Sequence, residues 1–224
     1  MRAALDEDQQ VEARRLKLKI AFDGVKLAFG SVILFDGLTV EFSSGRSTAI
    51  VGSNGAGKST LLKLAGQLIE PDEGTIQAFE GDIGMLRADL RRRSAMVSPT
   101  MNLYARLTGE ENLKFFARLR DVEVDDVDGL FARVGLTSGD RKKFLGEYST
   151  GMQQRLKFAI LLSAGADVWL LDEPGANLDE AGRSMVLREV ERATDEGKLI
   201  LLATNDSVEA SAADERLSLN GSTG

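Results

Sequence analysis

Ala49-Ile50-Val51-Gly52-Ser53-Asn54-Gly55-Ala56-Gly57-Lys58-Ser59-Thr60-Leu61-Leu62 is the stretch on which the reading of this chain turns. Ala49 to Val51 is a short apolar run ending in glycine, which suits a central parallel strand. STLLKLAGQLI, from Ser59 to Ile69, has helical spacing. Between them Gly52 to Ser59 fits G-x-x-x-x-G-K-[ST] in full, in the strand–loop–helix context that the motif requires. The glycines let successive backbone N–H groups curl toward phosphate oxygens, and the helix that follows adds a positive N-terminal end of roughly half a charge. Gly52, Ser53, Asn54, Gly55, Ala56 and Gly57 are therefore expected to form the cradle of a phosphate site. Lys58 would reach the outer phosphates, the Ser59 hydroxyl would ligate Mg²⁺, and Thr60 would reach the α-phosphate.

Such a loop needs an acidic partner on a neighbouring strand, because Mg²⁺ prefers oxygen ligands and keeps several waters. VWLLDE, 168–173, supplies it on a second buried strand. Asp172 is placed to hold the metal through water, and Glu173 to orient and polarise an attacking water. KLILLATN, 198–205, reads as a third buried strand. Between these two strands, EAGRSMVLREVERATDEG is an amphipathic helix with Met185, Val186, Val190 and Ala193 inward. Upstream, Leu16, Leu18, Ile20 and Phe22 alternate with Lys17 and Lys19, and VKLAF and LTVEF continue the habit of a half-buried antiparallel sheet. GEENLKFFARL, DGLFARVGL and QQRLKFAILLSAG read as helices, with DVEVDD as an acidic connector. The expected fold is α/β: a P-loop NTPase core with a mainly parallel sheet, an antiparallel β flank and an inserted α-helical subdomain at about 105–165. An N-terminal arm over 1–14 would precede a single domain over 15–224.

Composition narrows the chemistry. The 224 residues suit one domain with a sizeable core, and 43% hydrophobic with 28% charged residues excludes a disordered chain. There is no cysteine and no histidine, so thiolate sites, disulfides and imidazole bases are excluded. Catalysis must rest on carboxylates, Lys, Ser/Thr, Asn and backbone amides. The net charge of −7 argues against nucleic-acid binding. No stretch approaches the ~20 apolar residues of a membrane span, and the N-terminal residues do not read as a secretory signal. The expected location is cytoplasmic.

With these motifs in order, the sequence resembles the ATP-binding cassette (ABC) ATPases from about Leu16 to Leu219. FGSVILFDGLTVEFSSG resembles the strand pair before the phosphate loop, which implies that Phe29 stacks on adenine; read alone, Phe29 also fits a core position in a strand. YSTGMQQR resembles the family signature, with Ser149, Thr150, Gly151 and Met152 in its places; read alone, Ser-Thr-Gly is a helix cap. Its place 23 residues ahead of Asp172 favours the signature. In the family this turn closes on the ATP of a partner in a head-to-tail dimer, so a second ATPase chain, taken as a second copy, is implied. Asn177-Leu178-Asp179 resembles the loop whose aspartate meets its counterpart across that dimer.

Two positions depart from the pattern. Pro99 stands where the family carries a glutamine, and proline has no side-chain oxygen to offer; Ser98, Thr100 and Asn102 are the neighbouring candidates. Asn205 stands where the family carries a histidine at the γ-phosphate. It keeps a donor without the charge, which implies slowed catalysis. Taken together, the resemblance implies a Mg²⁺-dependent ATPase. Its turnover would drive a separate membrane permease at the cytoplasmic face, as an exporter of the ABC-2 or haem-exporter kind. Met101, Leu103 and Tyr104 would either dock that permease or pack the helices. The competing readings are a nucleotide switch with impaired catalysis and a soluble ABC ATPase outside transport.

Overall fold

The computed structural model describes residues 17–219. The expected arm over 1–14 lies outside the described residues, as does Leu16. Strand β1 (Leu18–Phe29) turns at Gly30-Ser31 into β2 (Val32–Ser43). The two alternating segments expected at 15–22 and 25–29 form one strand. Leu18, Ile20 and Phe22 face inward, a register shift falls between Phe22 and Val25, and Val25 and Leu27 take up the same inner face. Gly24, at φ +58°, makes that irregularity, in a backbone region that side chains other than glycine rarely adopt. With β4 (Glu73–Glu80) and the short β5 (Ile83–Gly84), these strands form an antiparallel sheet of order β2-β1-β4-β5.

The second sheet is parallel. Its strands are β6 (Ser94–Val97), β7 (Val168–Asp172), β8 (Leu199–Ala203), β3 (Arg46–Val51) and β9 (Glu215–Ser218), in that order. Both faces are covered, which is why β7 and β8 are apolar without alternation. Val168, Leu170, Leu199 and Leu201 join one core with the antiparallel sheet and helix α1 (Lys58–Ala65). Trp169, Leu171, Ile200 and Leu202 join a second core with α5 (Thr150–Ser163) and α6 (Glu180–Asp195). Met185, Val186, Val190 and Ala193 of α6 are buried, as their spacing requires.

Helices α2 (Arg87–Arg93), α3 (Gly109–Arg118), α4 (Val127–Arg133) and α7 (Ser207–Ala212) complete the fold. Leu113 of α3 and Phe131 of α4 belong to the same buried cluster as Leu156 and Phe158 of α5. The signature helix α5 therefore packs on the sheet with one side and on α3 and α4 with the other. Two helices are shorter than their periodicity suggests. α1 stops at Gly66, where the backbone lies too close to Leu170 for a side chain, and α4 stops before Gly135 at φ +74°. β4, β5, β6, β9, α2 and α7 were not anticipated. Edge strands of four residues are too short to show a period, and Arg87–Arg93 offers one buried residue, Leu90.

Register fixes the level of the loops. Asp172 pairs with Ala203, and Ala203 pairs with Ile50, so three chain exits lie side by side at the carboxyl edge of β7, β8 and β3. Open parallel sheets bind ligands at that edge. Phe131, fully buried between α4 and α5, tests the continuity of the second core. Phe131→Ala should cost about 3–5 kcal/mol in urea unfolding. An unchanged midpoint would mean that α4 packs loosely on α5.

Candidate functional site

The loop between β3 and α1 is held open by its own backbone. Gly57, at φ +96°, is the N-cap of α1 and leaves the cap without a side-chain acceptor. A Cβ there would sit 2.9 Å from Leu34 and Phe35, so glycine is required twice over. The first N–H groups of a helix have no partner within it, and here they belong to Lys58, Ser59 and Thr60, which line a cavity. That cavity, of about 290 Å³, is lined by Asn54, Gly55, Gly57, Lys58, Ser59 and Thr60 on one side. Asp172, Glu173, Asn205, Leu34 and Phe29 line the rest. Gly52, Ser53 and Ala56 of the expected cradle stand behind it: the Gly52 and Ser53 carbonyls accept from Lys58, and Ala56 is buried.

The polar contacts of three side chains, Lys58, Ser59 and Asn205, organise the centre. The Lys58 ammonium lies 2.9 Å from Gly52 O, 3.2 Å from Ser53 O and 2.9 Å from Asn205 Oδ1. The Ser59 hydroxyl donates to Asp172 Oδ1 at 2.9 Å. Asn205 Nδ2 donates to Glu173 Oε1 at 2.7 Å and to Asn54 Oδ1 at 3.0 Å. One amide therefore bridges a cation and a carboxylate, which fixes its orientation. Among the described residues the ammonium has carbonyl partners but no carboxylate, so no ion pair there neutralises its charge. Glu173 sits at φ +48°, a left-handed conformation rare for a side chain of its size, and its N–H is tied to Ala203 O at 2.8 Å. Phe29 ends β1 at the cavity wall with 59% of its surface exposed, so it is not a core residue. The hydroxyl of Ser59 and the carboxylate of Asp172 are hard oxygen donors, a set that fits Mg²⁺.

A profile of the ABC transporter family matches residues 35–176, a span that holds the phosphate loop, the Ser149 turn and the Asp172-Glu173 pair. The chain belongs to the ABC transporter family. It is 32% identical over 224 residues to a probable anion import ATP-binding protein of Haloferax volcanii, covering 91% of this chain and 77% of that one. It is 32% identical over 179 residues to a cytochrome c biogenesis ATP-binding export protein of Sodalis glossinidius, covering 80% and 84%. Against other relatives of the same identity it spans 62–67% of their length. The bacterial ABC transporter cassette MJ0796, solved as a dimer, superposes with a TM-score of 0.78 at 22% identity, over 90% of this chain and 94% of that one. That last likeness is one of fold. As a member of the family the chain is an ATP-binding subunit and an ATPase domain, with ATP and Mg²⁺ as its ligands. Among the described residues no helix is long and apolar enough to cross a membrane.

The residues expected to carry the family's other motifs do not line the cavity. Ser149 caps α5 and accepts from Met152 N–H at 3.2 Å; none of Ser149, Thr150, Gly151 and Met152 lines the cavity of this chain. Asp179 caps α6, accepting from Gly182 N–H at 2.8 Å, and pairs with Arg155 at 2.7 Å. The peptide of Gly151 runs close to Asn177 O, and Gln154 donates to Pro174 O at 2.9 Å. Around Pro99 the carbonyls of Ser98 and Pro99 accept from the buried Lys157 ammonium at 3.0 and 3.3 Å. Burial lowers the pKa of Lys157. Ser98 pairs with Thr100, and neither of these nor Asn102 lines the cavity. Gln154 and Lys157 were legible only as members of an apolar helix, because nothing in their spacing tells which way they point.

The approach to Ser149 is anchored by Tyr148, whose buried hydroxyl donates to Asp140 O at 2.6 Å. Burial pushes the Tyr148 phenol up to about 12. Asp140 is held down to about 2 from 3.8, first by Lys143 and then by the Thr137 hydroxyl. A depressed carboxyl stabilises the fold above its unfolded pKa and ceases to do so as pH falls through its folded one. Asp140→Asn should therefore melt lower than wild type at neutral pH. The gap should close between about pH 4 and pH 2, and a gap that persists at pH 2 would exclude ionisation as its source.

Proposed function

We propose that this chain is the energy-supplying subunit of an exporter, hydrolysing ATP in a symmetric dimer. The observation that carries the reading is the meeting of Lys58, Ser59, Asp172, Glu173 and Asn205 in one cavity. Lys58 and the open N-terminus of α1 would bind the outer phosphates, with Thr60 beside them, and Phe29 would stack on the adenine, a contact worth roughly 1–3 kcal/mol. Ser59 and Asp172 would hold Mg²⁺, which when bound neutralises charge on the phosphate oxygens. Glu173 would orient and deprotonate a water as its oxygen bonds to the γ-phosphorus and the bond to the bridging oxygen breaks, leaving ADP and phosphate. Asn205 would keep one Nδ2 proton on Glu173 and turn the other, which Asn54 accepts, to the γ-phosphate.

Ser149, Thr150, Gly151 and Met152 have no nucleotide to face in their own chain, which supports a role on the ATP of a second copy. Asp179 would lie beside that contact. The permease would dock in an apolar groove of about 410 Å³ between sheet and helices, lined by Met101, Phe116, Leu119, Ile160 and Leu161. That groove lies at Met101, whereas Tyr104 packs edge-on against Phe115. The helical residues 105–165 would turn against the core as the dimer closes, and the permease would hold the chain at the cytoplasmic face of the membrane. The signature form S-T-G-M-Q-Q-R and LTGEENLKFFARL support export.

The amide at Asn205 and the proline at 99 favour one alternative, a nucleotide switch with little turnover. Mg²⁺-dependent hydrolysis separates the two. For the ATPase, rate per chain rises with protein concentration, and Glu173→Gln binds ATP but turns over at least about 100-fold more slowly. ATP binding without hydrolysis in the wild type would favour the switch. Asn205→Ala should lower kcat by on the order of 100-fold with little change in KM. A wild-type kcat for this variant would remove Asn205 from the reaction.

A further inference from the structure

Glu209, in the first turn of α7, is 3% exposed and takes no part in the chemistry above. Its carboxyl group lies between two loops. From one side the Thr204 hydroxyl donates to it, and Thr204 immediately precedes Asn205. From the other side the Gly175 backbone N–H acts on it as a hydrogen-bond donor, and Gly175 lies two residues after Glu173. The approach is so close that a Cβ on Gly175 would run into Glu209 Oε1. Thr204 is itself fully buried and accepts from Asp206 N–H at 2.9 Å, so its hydroxyl is oriented.

The two loops have reason to need a clamp. Glu173 holds a left-handed backbone that its side chain disfavours, and such a conformation persists only where its surroundings over-determine it. On the far side Gln154 of the signature helix grips Pro174 O at 2.9 Å. On the near side Glu209 grips the N–H of that same peptide unit, which belongs to Gly175. We infer that Glu209 is a positioning residue for hydrolysis, fastening the loop that carries Glu173 to the loop that carries Asn205 so that their 2.7 Å contact is kept. The inference rests on the roles given above to Glu173 and Asn205. Burial pushes the Glu209 acid above the ordinary carboxyl range, with Asp206 and Glu173 adding to the effect. Negative charge is thus disfavoured there, and reach across the gap is what the side chain contributes.

Reach and the carboxyl group separate in two variants of the full chain. Glu209→Gln keeps the reach: its carbonyl oxygen can accept from Gly175 and its amide can donate to the Thr204 hydroxyl. Glu209→Asp keeps the carboxyl group but is one methylene short of one loop. A misplacement of about 1 Å can cost on the order of 100-fold in rate. The expected result is a kcat at least about 10-fold down for Glu209→Asp, with the KM and ATP affinity of wild type, and a clearly higher kcat for Glu209→Gln. A Glu209→Asp as fast as wild type would overturn the inference. So would a Glu209→Gln slower than Glu209→Asp, or ATP binding lost together with the rate. Glu173→Gln, assayed alongside, keeps the two claims apart. If it hydrolyses ATP at the wild-type rate, the role of Glu173 fails; if it is silent while Glu209→Asp is fast, only the clamp fails.

Discussion

The site depends on the register of three adjacent parallel strands. Because Asp172, Ala203 and Ile50 stand level across β7, β8 and β3, the residues just beyond them leave the sheet within reach of one another. The pairing continues past the strand ends: Glu173 N–H reaches Ala203 O, and Thr204 N–H reaches Ile50 O at 3.2 Å. A shift of β8 by one residue would carry Asn205 away from Lys58 and turn every side chain of that strand to the opposite core. The apolar residues of β7 and β8 pack on both faces, so that shift is opposed by burial on two sides at once.

Within that frame the polar groups surround the Lys58 ammonium with uncharged acceptors. Lys58 is 8% exposed, yet its partners are two carbonyls and an amide. A carboxylate partner would satisfy the ammonium internally and weaken its attraction for phosphate. Asp172 is close but is engaged by the Ser59 hydroxyl, and Glu173 is engaged by Asn205. An imidazole can offer one acceptor and one donor only in its neutral form; an amide offers both at every pH. That is a physical sense in which Asn205 suits a site with a cation on one side and a carboxylate on the other.

The signature helix is tied to the same loop from behind. Gln154 on Pro174 O, Arg155 on Asp179 and the close pass of Gly151 against Asn177 O join α5 to the segment 173–179. α5 also packs on α3 and α4, so packed side chains and hydrogen bonds connect those helices to the loop that carries Glu173. The chain from helices to Glu173 is physically continuous, and Glu209 forms its last link on the side of Asn205.

Much of this was determined by local sequence. A glycine-rich turn between an apolar run and a helix has few uses other than holding phosphate, and an apolar strand ending in Asp172-Glu173 supplies its acidic partner. The period of α6 and the alternation in β1 showed their buried faces, because each depends on geometry that repeats within a few residues. What only the tertiary structure decided are contacts between residues far apart in the chain. The Gly24 bulge joins two short segments into one strand. Phe29 stands at the cavity rather than in the core. Asn205 spans Lys58 and Glu173, and Lys157 points to the carbonyls around Pro99. Glu209 joins Thr204, 5 residues before it, to Gly175, which lies 34 residues before it. No periodicity encodes such pairs, since they arise where strand register and helix packing bring separate segments together, and that is settled only when the whole core is buried.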